Sequence, residues 1–231
     1  MTVESANLLV VEDDADINRL LCTILEGAGY ACRAAFSGSE GLLWAEKYDY
    51  DLVLLDLMLP GLTGEEFIAQ VRRTRTMPII AVSAKLGVSD RVNVLKLGAD
   101  DFIPKPFDNT EVLARVEAQL RRSRRFSAPN PAALTAGGLT LEPDSRAVSV
   151  HGQEVSLTGR EFDILALLMR NPRRAFSRAQ IYEAVWGEDF LGDDNTVNVH
   201  VSNLRSKLAK ADADTTYIKT VWGIGFKLAE L

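Results

Sequence analysis

The chain has 231 residues, of which 47% are hydrophobic, and a formal net charge of −6 at pH 7. Its length allows one large domain or two modest ones, no apolar run reaches the roughly 20 residues of a membrane span, and no secretory signal pattern opens it. Cys22 and Cys32 lack metal-ligand spacing, so we expect two free thiols in a cytoplasmic protein without a membrane partner.

Up to about residue 122, strand-like apolar runs alternate with helical patterns, which is typical of βα units and a parallel sheet. The predicted strands are residues 7–11, 31–36, 52–56, 79–83 and 101–104. The first helix is predicted to follow Asp14 and to end at Gly27 and Gly29. Capping boxes are predicted to open the second helix at Ser37 and the fifth helix at Asp108.

Polar side chains stand at the carboxyl ends of four of these strands. Glu12 and Asp13 follow the first strand, Asp56 ends the third, Ser83 ends the fourth and Lys105 follows the fifth. In an open parallel sheet, the carboxyl ends of the strands line the ligand-binding crevice. The three carboxylates suit a hard cation such as Mg²⁺ or Mn²⁺. Asp56 suits nucleophilic attack on a phosphoryl group, whose oxygens Ser83 and Lys105 could hold.

Met58 stands two residues after Asp56, where haloacid-dehalogenase phosphotransferases carry a second Asp, so that enzyme class is disfavoured. Four segments match another family, namely Val10-Val11-Glu12-Asp13-Asp14, Leu55-Asp56-Leu57-Met58-Leu59-Pro60-Gly61, Ser83-Ala84 and Lys105-Pro106-Phe107. Residues 7–122 therefore resemble the receiver domain of two-component response regulators. The resemblance implies a flavodoxin-like (CheY-like) α/β fold with a parallel five-stranded sheet in the order 2-1-3-4-5.

The receiver resemblance also implies residue roles. Asp56 would accept a phosphoryl group from a sensor histidine kinase, and Ser83 and Lys105 would bind that group. Asp13 and Asp56 would bind Mg²⁺ directly, Glu12 would bind it through water, and Met58 would bind it through its backbone carbonyl. The protein would not be an enzyme beyond Mg²⁺-dependent phosphorylation and dephosphorylation of itself.

The resemblance further implies a switch and a dimer. Ser83 would move toward the phosphoryl group, and Phe102, at a position where Tyr is more usual, would turn inward. The fourth helix, fifth strand and fifth helix would then form a two-fold homodimer interface. Its expected residues are Arg91, Lys96, Asp100, Asp101, Glu111, Arg115 and Arg122. The expected salt bridges are Arg91 with Glu111 and Asp101 with Arg115, whereas Lys96 stands where an acid is common.

The pattern changes after residue 122. We predict domains over residues 1–122 and 137–231, with a linker rich in Pro, Ser and Asn over residues 123–136. Short strands over 139–141, 147–150 and 154–157 precede three helices and a hairpin, which is a winged-helix plan. The first two helices are predicted to begin at Thr158 and Ser177.

The third helix is predicted over residues 196–209. Val197, Val199 and Val201 alternate with polar residues as in a strand, but Leu204 and Leu208 extend the pattern at helical spacing, which favours a helix. Residues 131–231 contain 11 Lys and Arg against 13 Asp and Glu. Charge alone therefore does not predict nucleic-acid binding by this half of the chain.

Further segments match the winged-helix effector of the OmpR/PhoB response regulators. They are Leu157-Thr158-Gly159-Arg160-Glu161-Phe162, Val185-Trp186-Gly187, Val199-His200-Val201, Asn203-Leu204-Arg205 and Gly223-Ile224-Gly225-Phe226. The resemblance implies that the third helix enters the major groove of promoter DNA with its inward face formed by Val197, Val201, Leu204 and Leu208. The expected DNA contacts are Thr196, Val199, His200, Asn203, Arg205, Lys219, Thr220 and Trp222.

An acidic loop precedes that helix, and in this family the loop faces RNA polymerase. Its acids are Glu188, Asp189, Asp193 and Asp194. The chain is thus interpreted as a phosphorylation-dependent transcription factor that binds direct repeats spaced about 10–11 bp apart. Two alternatives are a winged-helix regulator controlled without phosphorylation and a phosphotransfer protein whose C-terminal half docks a protein.

Overall fold

The computed structural model describes residues 6–84, 87–125, 133–187 and 194–230, and it divides the chain into two compact units, Met1–Arg121 and Arg122–Leu231. The described part of the first unit alternates strands with helices. The strands are β1 (Asn7–Val11), β2 (Ala31–Ala35), β3 (Leu52–Asp56), β4 (Ile79–Ser83) and β5 (Asp101–Pro104). The helices are α1 (Ala15–Gly27), α2 (Gly38–Lys47), α3 (Gly64–Val71), α4 (Val88–Leu97) and α5 (Asn109–Arg125).

The five strands form one parallel sheet in the order β2-β1-β3-β4-β5, which confirms the predicted fold class. Every residue of β3 and β4 is buried, as expected for central strands covered by helices on both faces. The edge strand β2 is more exposed. One core cluster of this unit joins β1, β3, β4 and β5 to residues of α1 and α5 such as Leu21, Leu25, Val112 and Val116.

The predicted start of α1 is confirmed, whereas the starts of α3 and α4 were not predicted. The Asp14 carboxylate accepts the backbone N–H groups of Asp16 and Ile17. In α3, Thr63 and Glu66 form a complete capping box, in which each side chain accepts the backbone N–H of the other residue. These contacts satisfy N–H groups that a helix leaves without partners at its first turn.

The two capping boxes predicted for the first unit are only partly formed, whereas the box predicted at Thr158 with Glu161 in the second unit is complete. The Ser37 hydroxyl accepts the Glu40 N–H as predicted, but the Glu40 carboxylate accepts the N–H of Phe36, one residue before the cap. Asp108 accepts both the backbone N–H and the hydroxyl of Thr110. Asp108 also accepts the Glu111 N–H that the pattern assigns to it, whereas the Glu40 carboxylate satisfies a different donor from the one that the pattern assigns.

The described part of the second unit contains two antiparallel sheets and three helices. Its strands are β6 (Leu134–Ala136), β7 (Leu139–Glu142), β8 (Ala147–Val150), β9 (Gln153–Glu154), β10 (Phe176–Ser177), β11 (Ile218–Val221) and β12 (Gly225–Leu228). Its helices are α6 (Gly159–Arg170), α7 (Arg178–Trp186) and α8 (Asp194–Ala211). The sheets have the orders β6-β7-β8-β9 and β10-β12-β11. Three helices followed by the β11–β12 hairpin confirm the predicted winged helix.

Three details of this unit differ from the sequence analysis. Residues 134–136, placed in the linker, pair with β7 as strand β6. The strand predicted over 154–157 is confined to Gln153–Glu154, while β10 (Phe176–Ser177) was not predicted at all. Strands of two or three residues are too short to show an alternating pattern, so only their pairing partners reveal them.

Candidate functional site

The carboxyl-terminal edge of the parallel sheet gathers the predicted site residues. Glu12 and Asp13 follow β1, while Asp56 and Ser83 end β3 and β4. Val11 pairs with Leu55 and Asp56 with Val82, so these strand ends lie level. One carboxylate oxygen each from Glu12, Asp13 and Asp56 lie within 4.8 Å of one another. Glu12, Asp56 and Ser83 are buried, whereas Asp13 is exposed.

Lys105, which directly follows β5, contacts this acidic cluster. Its ammonium Nζ donates hydrogen bonds to Glu12 Oε2 at 2.7 Å and to Asp56 Oδ2 at 2.6 Å. Its backbone N–H donates to the Ser83 carbonyl oxygen at 2.9 Å, and the Lys105–Pro106 peptide bond is cis. The other Asp56 oxygen, Oδ1, accepts the Met58 N–H at 2.9 Å. Both oxygens of the Asp56 carboxylate are therefore held in fixed directions.

Burial and charge set the protonation of this cluster. Burial is the main cause that raises the pKa of Glu12 to about 7, and it outweighs the hydrogen bond from Lys105. Burial on its own would lower the pKa of Lys105, but its hydrogen bonds to Asp56 and Glu12 overcome that effect and raise the pKa. Lys105 therefore stays positively charged beside the two buried carboxylates.

Asn18, which the sequence analysis missed, fixes the β1 end of the site. Its buried amide Nδ2 donates to the Glu12 carbonyl oxygen at 2.9 Å and to the Ala35 carbonyl oxygen at 3.0 Å. Helix α1 is thereby tied to the ends of both β1 and β2. The available sequence signal was a polar residue at the buried face of α1, three positions before the core residue Leu21.

The face formed by α4, β5 and α5 differs from the expected arrangement at Asp100 and Asp101, both of which are buried. Asp100 is fully buried, because its carboxylate accepts hydrogen bonds from Arg72 Nη2 at 2.8 Å and from the Ile79 N–H at 2.9 Å. It is therefore not available at a surface, contrary to the prediction. Lys96 is exposed and Arg91 is half-buried.

The ion pairs at this face lie within the chain. Arg115 donates to Asp101 at 3.1 Å and to Glu111 at 3.0 Å. The Arg91 guanidinium carbon lies 5.6 Å from the ring centroid of Phe102, which is buried. Arg122 belongs to α5, but its side chain lies outside the part of the chain that the structure describes.

The N-terminal half of α8 is buried more widely than predicted. Thr196, Val199 and His200, expected on the outer face or its flank, are 7%, 5% and 1% exposed. Thr196 and His200 belong to an i, i+4 row that continues through the core residue Leu204, so they share its buried side. The His200 ring also packs against Trp186, with centroids 5.4 Å apart. Val199 follows the tendency of apolar side chains to be buried.

The remaining orientation of α8 agrees with the prediction. The inward residues Val197, Val201, Leu204 and Leu208 are buried. Ser206 is exposed and Asn203 is half-buried. The structure adds two exposed polar residues that the sequence analysis missed on this helix, Asn195 and Ser202. They follow from helical periodicity once Thr196 and His200 are assigned to the core.

The β11–β12 hairpin presents a further group of predicted residues. Arg205 on α8 donates to the Ile218 carbonyl oxygen and to the Thr220 hydroxyl, each at 3.0 Å, so it ties α8 to β11. Lys219 and Thr220 are exposed on β11. Trp222 at the hairpin tip is 92% exposed and does not cover the base of the hairpin. An exposed tryptophan can stack on a base or contact a sugar.

The predicted acidic loop lies largely outside the described residues. Nothing is described for Glu188, Asp189 and Asp193, and Asp194 begins α8 without a described side chain. No described helix is long and apolar enough to cross a membrane.

Comparisons with known proteins identify both units. Residues 8–117 match the family described as "Response regulator receiver domain", and residues 152–228 match "Transcriptional regulatory protein, C terminal". An uncharacterized transcriptional regulatory protein of Bacillus subtilis, YcbL, is 40% identical over 96% of this chain and 100% of its own length. The chain belongs to the two-component response regulators of the OmpR/PhoB type.

Other members of the family match over similar lengths. The transcriptional regulatory protein ResD of Bacillus subtilis is 40% identical over 95% of this chain and 94% of its own length. The solved structure of a RitR mutant matches with a TM-score of 0.82 and 27% identity, over 98% of this chain and all of that one. This response regulator is therefore a DNA-binding regulator of transcription and not a classical enzyme. Receiver domains normally bind Mg²⁺, and the acidic cluster Glu12, Asp13 and Asp56 is present here.

Proposed function

We propose that a sensor histidine kinase phosphorylates this response regulator on Asp56, and that phosphorylation promotes dimerisation and binding to promoter DNA. The observation that carries the proposal is the ammonium of Lys105, held at 2.6 Å from the Asp56 carboxylate and 2.7 Å from Glu12. A positive charge fixed beside a nucleophilic oxygen stabilises the negative charge of a phosphoryl group during transfer.

The chemistry at Asp56 is that of an acyl phosphate. A carboxylate oxygen of Asp56 attacks the phosphorus of the kinase's phosphohistidine, the bond from phosphorus to the histidine nitrogen breaks, and an acyl phosphate forms on Asp56. The Met58 N–H holds Oδ1 while Lys105 shifts its hydrogen bond from Asp56 to a phosphoryl oxygen. The Ser83 hydroxyl donates to another phosphoryl oxygen.

Glu12, Asp13 and Asp56, with the Met58 carbonyl oxygen, would hold a divalent cation. The fit is supported by three carboxylate oxygens within 4.8 Å of one another, and oxygen ligands are those that Mg²⁺ prefers. When bound, Mg²⁺ would neutralise charge on the phosphoryl oxygens. Asp13 is the exposed member of the three carboxylates. An incoming ion can therefore reach the cluster from the solvent at Asp13.

The test uses the full chain, Mg²⁺ and a small acyl phosphate as donor. Intact-mass measurement is expected to show one added phosphoryl group on the wild type and none on Asp56→Asn, which keeps the size of the side chain. Asp51→Asn, which alters an exposed Asp in the same unit, is the matched control and is expected to be modified normally. An unmodified wild type would leave a winged-helix regulator controlled by another signal.

The dimer interface is proposed on the face of α4, β5 and α5. Arg91, Lys96, Asp101, Glu111, Arg115 and Arg122 are its candidate residues. Asp100 is omitted because Arg72 and the Ile79 N–H bind it inside the chain. Asp101 is also buried, and it is retained because it is paired with Arg115. Arg115 already binds Asp101 and Glu111 within one chain, so dimerisation would exchange intramolecular ion pairs for intermolecular ones. Sedimentation is expected to show a monomer before phosphorylation and a dimer afterwards. A phosphorylated protein that stays monomeric at high concentration would contradict this part of the proposal.

DNA binding is proposed for the exposed side of α8 and for the hairpin. Asn203 can read base edges in the major groove, whereas Lys219, Thr220 and Arg205 can contact phosphates. Trp222 would contact the sugar and base surface beside them. The acidic residues 188–194 are proposed to face RNA polymerase, residues 123–136 to connect the receiver and the DNA-binding domain, and the protein to act in the cytoplasm.

A further inference from the structure

The receiver unit has a cavity at the end of its sheet opposite to the acidic cluster. Its lining includes Asn7 and Ala31, the first residues of β1 and β2, and residues 48–50, which precede β3. The acidic cluster lies at the carboxyl ends of the same strands, so the two sites are distinct. The cavity has a volume of about 280 Å³. Since a cavity of roughly 150 Å³ can hold benzene, this one has room for one aromatic ring with a small substituent.

Arg33 of β2 lines this cavity and lies over two aromatic rings. Its guanidinium carbon is 4.5 Å from the ring centroid of Trp44 and 4.6 Å from that of Tyr48. The two rings share one side of the end of α2 because they are four positions apart. Trp44 is fixed in turn, since its indole N–H donates to Glu40 Oε1 at 3.3 Å. Ring contacts orient a guanidinium and leave its N–H groups available as hydrogen-bond donors.

The charge of Arg33 has no acidic partner within the described part of the chain. Asp49, the acid that lines the cavity, is bound by Arg75 Nη1 at 2.6 Å. Asp51, the next acid along the chain, accepts a backbone N–H of β1 at 2.7 Å. The Lys47 ammonium adds a second positive charge, 6.0 Å and 5.4 Å from the centroids of the same two rings. The surroundings of the cavity therefore favour an anion.

Tyr50 gives the cavity a second hydrogen-bond donor. It lines the cavity, and its hydroxyl is buried without a hydrogen-bond partner among the residues that the structure describes. Burial raises the pKa of Tyr50 and the Arg33 charge opposes that shift, so the hydroxyl is protonated at neutral pH and within electrostatic reach of Arg33. A buried hydroxyl without a partner is unfavourable. An acceptor brought into the cavity would therefore gain a hydrogen bond that the protein does not supply.

We propose that this cavity binds a small aromatic carboxylate. The carboxylate accepts hydrogen bonds from the Arg33 guanidinium and the Tyr50 hydroxyl, and the ring packs against the Tyr48 side chain, which is 40% exposed. A guanidinium matches the two oxygens of a carboxylate in one plane. Ligand pockets typically combine aromatic walls with a few polar groups that fix orientation. Binding here needs no phosphorylation, so it is independent of the function proposed above.

Benzoate is the probe for this site. The full chain is titrated with benzoate while its backbone amide shifts are followed by NMR. Saturable shifts are expected for residues 31–33 and 48–51, and the amides of the acidic cluster are expected to stay unchanged. A wild type without saturable shifts, or with shifts confined to the acidic cluster or to the DNA-binding unit, would overturn the proposed site.

Two further probes separate the contributions of charge and ring. Benzamide keeps the ring and lacks the charge, whereas acetate keeps the carboxylate and lacks the ring. Each is expected to bind at least about tenfold more weakly than benzoate, because each loses one of the two contacts. Benzamide that binds as tightly as benzoate would overturn the assignment of an anion, and acetate that does so would overturn the aromatic class.

Variants of the two donors test how the carboxylate is held. Arg33→Met keeps an apolar stem and removes the charge, so benzoate affinity should fall at least about tenfold. Tyr50→Phe removes only the hydroxyl and should weaken binding roughly fivefold. Arg19→Met, which alters an exposed Arg of α1, is the matched control and should bind benzoate as the wild type does. Unchanged affinity in Arg33→Met would overturn the proposed site, and unchanged affinity in Tyr50→Phe would overturn the role of the hydroxyl.

The fold of each variant is checked by its amide spectrum before the titration. Arg33 is exposed on an edge strand, so Arg33→Met is expected to fold as the wild type does. The comparison of benzoate with benzamide and acetate uses the wild type alone. It therefore decides the class of ligand even if a variant fails to fold.

Discussion

Lys105 occupies the position where a cation and a phosphoryl group would both act. Its ammonium contacts Glu12 and Asp56, so it compensates the charge of two buried carboxylates. It would also repel a divalent cation bound to the same carboxylates, because two like charges about 4 Å apart near a protein surface repel by a few kcal/mol. The same ammonium would therefore weaken metal binding and strengthen phosphoryl binding.

Replacing Lys105 by Met is expected to separate these two effects. Mg²⁺ affinity should rise by roughly tenfold or more because one repelling charge is removed, whereas phosphoryl uptake should slow because no ammonium stabilises the transferred group. Calorimetry and intact-mass kinetics measure the two quantities. Lys47→Met removes an exposed lysine of α2 and should change neither. An unchanged or weaker Mg²⁺ affinity in Lys105→Met would contradict the proposed metal site.

Tyr217 and Asp212 form a second titrating pair, in the C-terminal unit. The Tyr217 hydroxyl donates to Asp212 Oδ2 at 2.8 Å, and His151 Nε2 lies 3.1 Å from the same oxygen. Hydrogen bonds from Thr215 and Tyr217 lower the pKa of Asp212 to about 2. Burial and the Asp212 contact raise the pKa of Tyr217 to about 12. The pair is therefore most stable with Asp212 ionised and Tyr217 protonated.

The stability difference between wild type and Tyr217→Phe is expected to depend on pH. Asp212 has a lowered pKa, so its contribution is present above its ordinary pKa of 3.8 and disappears as pH falls toward 2. Tyr217 has a raised pKa, so its contribution is present below its ordinary pKa of 10.0 and disappears as pH rises through 12. Urea unfolding at several pH values measures the difference. A difference that stays constant from acid to alkaline pH would contradict this account.

At the level of elements, the strands and helices predicted correctly were those that leave a local pattern of apolar and polar residues in the sequence. Strands β1, β3 and β4 of the receiver are apolar runs that meet polar residues at their carboxyl ends. The carboxyl ends of the predicted strands placed Glu12, Asp56, Ser83 and Lys105 together. Other features depend on contacts that are distant in the sequence. Asp100 is buried by Arg72, which lies 28 positions away, and no local pattern announces that pair.

Helix α8 shows why the outward face was predicted only in part. The apolar stripe of Val197, Val201, Leu204 and Leu208 was visible, but polar Thr196 and His200 share the buried side. A polar residue is assigned to the surface by its type alone, whereas His200 is buried against the Trp186 ring. The DNA-facing set therefore shifts toward Asn203, Ser206 and the hairpin.

Gly225 sets the pairing of the hairpin with β10. It has φ of +154°, and a Cβ at this position would lie 2.1 Å from the Phe176 carbonyl oxygen. Since Phe176 and Ser177 pair with β12, Gly225→Ala is expected to break this pairing and to lower the free energy of unfolding by roughly 2 kcal/mol or more.

Gly223→Ala is the matched control for that change. Gly223 also has a positive φ, of +73°, but nothing lies within 4 Å of a Cβ placed there. Its substitution is expected to cost only about 1–2 kcal/mol from backbone strain. Thermal unfolding of the two variants measures the costs, and an equal loss of stability would show that the approach to Phe176 has no effect of its own.

The whole molecule combines a receiver with a DNA-binding unit in which Lys and Arg are outnumbered by Asp and Glu, 11 against 13 over residues 131–231. The full chain carries a net charge of −6, and Arg205 on α8 is engaged with the Ile218 carbonyl oxygen and Thr220. Neutralising few phosphates gives weak non-specific binding and a shallow salt dependence. A single DNA-binding unit is therefore expected to bind DNA weakly. High affinity would then require the DNA-binding units of two chains on the same DNA.

Phosphorylation is accordingly expected to increase affinity only for paired sites. Two half-sites about 10–11 bp apart present the same face of the duplex to a dimer, so phosphorylated protein should bind such a direct repeat at least tenfold more tightly than a single half-site. Inserting about half a helical turn, ~5 bp, between the half-sites rotates one to the opposite face and should remove the gain. Fluorescence anisotropy at fixed salt measures each affinity.

Asp56→Asn supplies the control for that experiment. Because it cannot form the acyl phosphate, it should bind the repeat and the single half-site with affinities that the phosphodonor does not change. Trp222→Ala should weaken binding to the repeat by about the square of the factor for the single half-site, since a dimer on the repeat loses one hairpin contact in each half-site. If phosphorylated wild type gained equally on single and paired sites, phosphorylation would act within one chain, and dimerisation would not be the cause of the increase in affinity.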